Sequence, residues 1–143
     1  MQVELRRVDD AFHFEAVGAS DVPVHIDAGS GVGGHEQGAR PMEMVLMGLA
    51  GCSAIDFILI LKKQRQELKD ISIVVDAKRK DSTPSPFEQV HMKFNLKGNL
   101  DPRKVEKALQ LSVEKYCSVA EMLKSTATIE YSFEIMTSEP HEL

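Results

Sequence analysis

The chain is short of positive charge and of cysteine, and each shortage excludes a class of function. Lysine and arginine number 17 against 22 aspartates and glutamates, giving a net charge of −5 and a pI near 5.5. Binding a nucleic-acid backbone takes clustered basic residues. The runs Lys62-Lys63-Gln64-Arg65 and Lys78-Arg79-Lys80 read instead as solvated ends of elements, so no nucleic-acid partner is expected. Residues 1–10 hold no basic tip followed by an apolar run, which predicts no leader and a cytoplasmic location. In that reducing compartment two cysteines do not make a structural disulfide framework.

Familiar chemical motifs are missing too. No Cys-x-x-Cys occurs, and His13, His25, His35, His91 and His141 include no i, i+4 pair that would organise a zinc ion. These histidines read as surface residues, and no metal is expected. No Gly-x-Ser-x-Gly elbow marks a hydrolase. Gly29-Ser30-Gly31-Val32-Gly33-Gly34 does match G-x-G-x-x-G, but residues 35–40 intervene before the next helix. No acid lies within residues 49–53 to hold a ribose, and no Gly-Lys-Ser/Thr follows. The segment reads as a mobile loop, and no cofactor is expected.

What is present describes one domain, residues 1–143, of ordinary size, with 43% hydrophobic residues to supply its core. Short strands are predicted over 3–8, 11–17 and 22–27, the first two separated by Asp9-Asp10. A glycine-rich loop over 28–39 leads to Arg40 and to a helix over 41–61 opened by Pro41. Strands follow over 71–79 and 87–96, the second with Val90, Met92, Phe94 and Leu96 on one face. Asp101-Pro102 reads as the cap and first turn of a helix reaching residue 115. Ser118 and Glu121 have capping-box spacing for a short helix. A last strand is predicted over 126–136, with a polar, mobile tail over 137–143.

The 41–61 helix contains only Glu43 and Asp56 as charged residues. Its length, roughly 30 Å, would span a bilayer, yet its acids and small residues, and the α+β character of the rest, argue against a membrane. A helix apolar on all sides must be covered on all sides. One small domain with short strands covers it poorly, so a homodimer with this helix at its centre is expected.

Cys52 lies deep in that helix, directly after Gly48-Leu49-Ala50-Gly51, and Cys117 falls at the start of a later one. Each alone could be a small buried apolar residue. Together they raise the prospect of reversible thiol chemistry. Asp56, one turn beyond Cys52, reads equally as a buried hydrogen-bonding residue or as a thiol partner.

The run from Pro41-Met42-Glu43-Met44 through Gly48-Leu49-Ala50-Gly51-Cys52-Ser53-Ala54-Ile55-Asp56, followed by Glu114-Lys115-Tyr116-Cys117-Ser118-Val119, resembles the OsmC/Ohr superfamily. Within it, Pro-Met-Glu ahead of the first cysteine is similar to an OsmC-like subgroup. The resemblance implies an α+β fold: N-terminal strands and a long central cysteine-bearing helix packed with antiparallel sheet, in an intertwined homodimer with interfacial sites. It implies reduction of organic hydroperoxides, with Cys52 attacking the peroxide, Cys117 closing a disulfide, and an external dithiol resetting the pair. The family's peroxidases also use an arginine from the N-terminal part and a glutamate just after the proline. Met42 stands at that glutamate position, Glu43 one residue later, and Arg40 at the helix mouth is the candidate cation. The alternative is a dimer that binds a small apolar or lipid-like ligand without turnover, in a pocket lined by Met42, Met44, Met47 and Phe57.

Overall fold

The computed structural model describes residues 1–136, so the 137–143 tail lies outside the described residues. The fold is α+β, with two three-stranded sheets and one long helix. The chain forms two compact units, Met1–Met47 and a second beginning at Gly48.

In the first unit β1 (Glu4–Arg7), β2 (Phe14–Val17) and β3 (Val24–Ile26) form an antiparallel sheet in that order. β2 starts later than its pattern suggests because Asp9 reshapes the turn. One carboxylate oxygen accepts the Ala11 amide at 2.9 Å and the His13 amide at 3.1 Å, taking residues 11 and 13 out of the ladder. The glycine-rich loop is tied down, contrary to the expectation of mobility. The Asp27 carboxylate, 1% exposed, accepts the amides of Ala28, His35 and Gln37 at 2.7, 3.3 and 3.1 Å. Backbone also closes on backbone: a Cβ at Gly34 would stand 2.0 Å from the Ala28 carbonyl oxygen, and one at Gly38 2.4 Å from His25. Only glycine permits that approach.

The long helix α1 (Pro41–Lys63) begins at Pro41, and Glu43 reaches back to accept the Arg40 amide at 2.9 Å. That is half of a capping box. In the second unit β4 (Glu67–Arg79) and β5 (Phe87–Asn99) pair antiparallel, and β6 (Thr128–Met136) pairs parallel to β5. The parallel strand departs from the all-antiparallel expectation. It follows from the helical crossover between β5 and β6, which returns the chain to the end where β5 began. β4 starts at Glu67 rather than residue 71 because a register shift between Leu68 and Asp70 breaks the alternation.

β5 is the central strand, and Val90, Met92, Phe94 and Leu96 are 2, 0, 0 and 0% exposed. Phe94 meets Phe57 of α1 edge-on, with centroids 5.5 Å apart. α2 (Pro102–Gln110) adds Val105, Ala108 and Leu109 to this core. Asp101 caps it, accepting the Arg103 amide at 2.9 Å, as its sequence predicts. Each fully buried side chain of this size is worth about 1.5–3 kcal/mol.

Candidate functional site

α1 carries two apolar rows with opposite fates. Leu49, Ser53, Phe57 and Leu61 are buried, and their four-residue spacing keeps them on one face. The row two positions earlier, Met47, Gly51, Ile55 and Leu59, lies about 200° round the helix. Met47, Ile55 and Leu59 are 54, 62 and 53% exposed, and Ile58 beside them is 40% exposed. Cys52, half-buried, sits between the two rows. Phe57 belongs to the sealed row at 0% exposure, so it does not line a ligand pocket as the sequence reading supposed. It fills the core against Phe94.

The second thiol is positioned by a local irregularity. The helical pattern running to residue 115 breaks after α2 into a π-turn, Leu111–Tyr116, in which the Cys117 amide donates to the Ser112 carbonyl at 2.8 Å. The wider turn delivers Cys117 in an extended conformation to the mouth of α3 (Ser118–Leu123). There the thiol itself is the cap, with the Ala120 amide donating to Sγ at 3.4 Å. The expected Ser118–Glu121 capping box does not form, because both residues already lie inside the helix.

The structure brings the two cysteines together. The Cys52 thiol lies near enough to that of Cys117 to act on its protonation, and the Ser53 hydroxyl donates to the Cys117 sulfur at 3.4 Å. Ser53 and Cys117 are 0 and 3% exposed. Burial pushes the Cys117 thiol up from its ordinary value, the Ser53 and Ala120 hydrogen bonds pull it down, and Cys52 pushes it up again. The net direction is up. Amides at a helix start favour a thiolate, and Ala120 does so here, but burial outweighs it. The pair contains one half-buried thiol and one buried thiol that holds its proton more tightly than a free cysteine.

Ser53 is the participant that sequence reasoning missed. Its signal was a lone hydroxyl on the row of Leu49, Phe57 and Leu61, where a buried polar group requires a partner. The hydrogen bonds to the Cys117 sulfur come from Ser53 and Ala120, not from half-buried Asp56. Arg40 and Glu43 are engaged at the start of α1. The Arg40 guanidinium pairs with Glu36 at 3.4 Å, both 59% exposed, and Glu43 holds the Arg40 amide. A cleft of about 340 Å³ in the second unit is lined by Asp76, Lys78, Gln89, His91 and Glu130 among others, and neither thiol opens into it.

Residues 34–132 match the family described as OsmC-like protein. Protein YhfA of Escherichia coli K12 is 36% identical over 139 residues, spanning 96% of this chain and all of YhfA (100%). The crystal structure of a hypothetical protein from Aquifex aeolicus VF5 is similar at a TM-score of 0.83 and 34% identity, over 96% of this chain and 97% of that one. OhrB of Bacillus subtilis, an organic hydroperoxide resistance protein, shares the fold at a TM-score of 0.68 and 17% identity, over 93% and 96% of the two chains.

Proposed function

The chain belongs to the OsmC-like protein family, and from this premise we propose that it reduces organic hydroperoxides through Cys52 and Cys117. The observation that carries the reading is the pairing of a half-buried thiol with a buried one whose sulfur is held by Ser53 and Ala120. The Cys52 thiolate attacks the terminal oxygen of the hydroperoxide, the O–O bond breaks, and the leaving alkoxide takes up a proton to depart as the alcohol. Cys52 becomes a sulfenic acid. Cys117 displaces its oxygen as water and forms the Cys52–Cys117 disulfide. An external dithiol then reduces the disulfide and leaves as its own disulfide, which suits a cytoplasmic setting. No cofactor enters this cycle. Arg40 and Glu43 are proposed as supporting groups at the head of the cysteine helix.

The exposed row Met47, Ile55 and Leu59, with Ile58, supports a homodimer in which a second copy covers α1. The helix is long and apolar enough to cross a membrane, with only 22% of its most apolar window buried within the chain. A second copy covers that surface without a bilayer, and an apolar peroxide would approach Cys52 along the same face. A second reading, a dimer that binds an apolar ligand without turnover, is favoured by one observation: the Arg40 guanidinium is already paired with Glu36.

One experiment separates them. The reduced protein is treated with one equivalent of cumene hydroperoxide and followed by thiol titration and intact mass. Loss of both thiols with a decrease of about 2 Da, abolished by Cys52→Ser, is expected for the peroxidase. Unchanged thiols and mass would leave the binding reading.

A further inference from the structure

The first unit holds a group of side chains that the thiol chemistry does not use. Asp9 and His13 lie on the turn between β1 and β2, His25 on β3, Asp27 just beyond it, and His35 on the glycine-rich loop. Their spacing in the sequence has no metal-site pattern, yet the fold converges them. One donor atom each from Asp9, His13 and Asp27 lie within 4.8 Å of one another. Around them, His35 Nδ1 meets Asp9 at 2.8 Å and His13 Nε2 meets His25 Nδ1 at 2.9 Å.

The carboxylates of Asp9 and Asp27 approach each other within this group, with the His13 ring beside them. Among the described residues the side chain that ion-pairs with Asp9 is an imidazole, His35, and Asp27 forms no ion pair. An ionised carboxylate has about four acceptor sites. Asp9 uses three and Asp27 uses three, so each keeps one for a cation.

We propose that Asp9, His13 and Asp27 form a binding site for a divalent transition metal of the zinc class. Imidazole beside carboxylate suits zinc and its first-row neighbours, whereas calcium and magnesium favour all-oxygen shells. His25 orients the His13 ring and His35 the Asp9 carboxylate, as outer partners do in metal sites. Three protein ligands leave a further position to solvent. Metal–ligand bonds of about 2.1 Å in a tetrahedral shell set donor atoms about 3.4 Å apart, so binding draws the three side chains inward from separations of up to 4.8 Å. The ion joins the β1–β2 turn to the end of β3, two segments that backbone hydrogen bonds link only through the strands.

The test uses the untagged full chain carrying Cys52→Ser and Cys117→Ser, which removes the thiols as competing ligands. Zn²⁺ is titrated calorimetrically, and Co²⁺ is followed by its visible absorption. One ion per chain at micromolar or tighter affinity is expected, with excess Ca²⁺ or Mg²⁺ failing to displace it. His13→Ala and Asp9→Asn are each expected to weaken binding at least tenfold. Asp9→Asn retains a side-chain oxygen for the turn amides, so it serves where His13→Ala proves unstable. Absence of Zn²⁺ binding, binding indifferent to both substitutions, or displacement by Ca²⁺ would overturn the proposal.

Discussion

Replacing Ser53 by alanine removes one hydrogen bond from the Cys117 sulfur while leaving both cysteines in place. A hydrogen bond to a charged group contributes about 1.5 kcal/mol or more, and its loss disfavours the Cys117 thiolate by roughly tenfold. A more basic thiolate is also a better nucleophile, and a Brønsted slope of about 0.4–0.5 returns roughly threefold of that. Disulfide closure in Ser53→Ala is therefore expected to run about three- to fourfold slower at neutral pH. Well above the titration of Cys117 the thiolate is complete in both proteins, and the variant is expected to match or exceed the parent. Rapid-quench mass spectrometry across a pH series, with dimedone trapping the Cys52 sulfenic acid, measures closure apart from peroxide attack. Attack by Cys52 is expected to change little. A uniform slowing at every pH would indicate misplacement of Cys117 alone, and an unchanged closure rate would refute a role for Ser53.

Three further outcomes follow from the same geometry. Ile58→Asp and Leu59→Asp place charge on the uncovered face of α1, so light scattering is expected to show a dimer for the parent and a shift to monomer for the variants. A parent that is monomeric at micromolar concentration would contradict the covered-helix reading. Phe57→Ala empties a fully buried site against Phe94 and is expected to cost about 3–5 kcal/mol in urea unfolding; a loss below about 1 kcal/mol would mean the site is not sealed. The Cys117 thiol is raised above its ordinary value of 9.0, so the folded state binds this proton more tightly than the unfolded chain. Its contribution is complete below pH 9.0 and is lost as pH rises through the folded-state value. The reduced parent is expected to lose stability more steeply than Cys117→Ser above that pH, and parallel curves would refute the assignment.

Much of the architecture was legible because it depends on neighbours along the chain. Asp101 ahead of Pro102, the four apolar alternates of β5 and the proline opening α1 are local preferences, and the structure keeps all of them. Strand ends were harder to read. The Asp9 carboxylate shortens β2, and the register shift at Leu68–Asp70 hides the start of β4, since both depend on how a partner segment bonds rather than on hydropathy. At the site, the two cysteines stood out by their setting and by resemblance. The roles of the surrounding groups did not.

By itself, then, the sequence determined the α+β class, the long apolar helix and the presence of two thiols in suggestive surroundings. Tertiary structure decided which atoms meet. It buried Ser53 against a sulfur 64 positions away, used a π-turn to make Cys117 a helix cap, turned β6 parallel, and brought Asp27 to Asp9 and His13 of the β1–β2 turn. The reason is physical. Caps and periodicity act within a turn or two, where the chain's own geometry sets distances. Contacts between distant residues arise from packing, and their electrostatics depend on burial that no local pattern records.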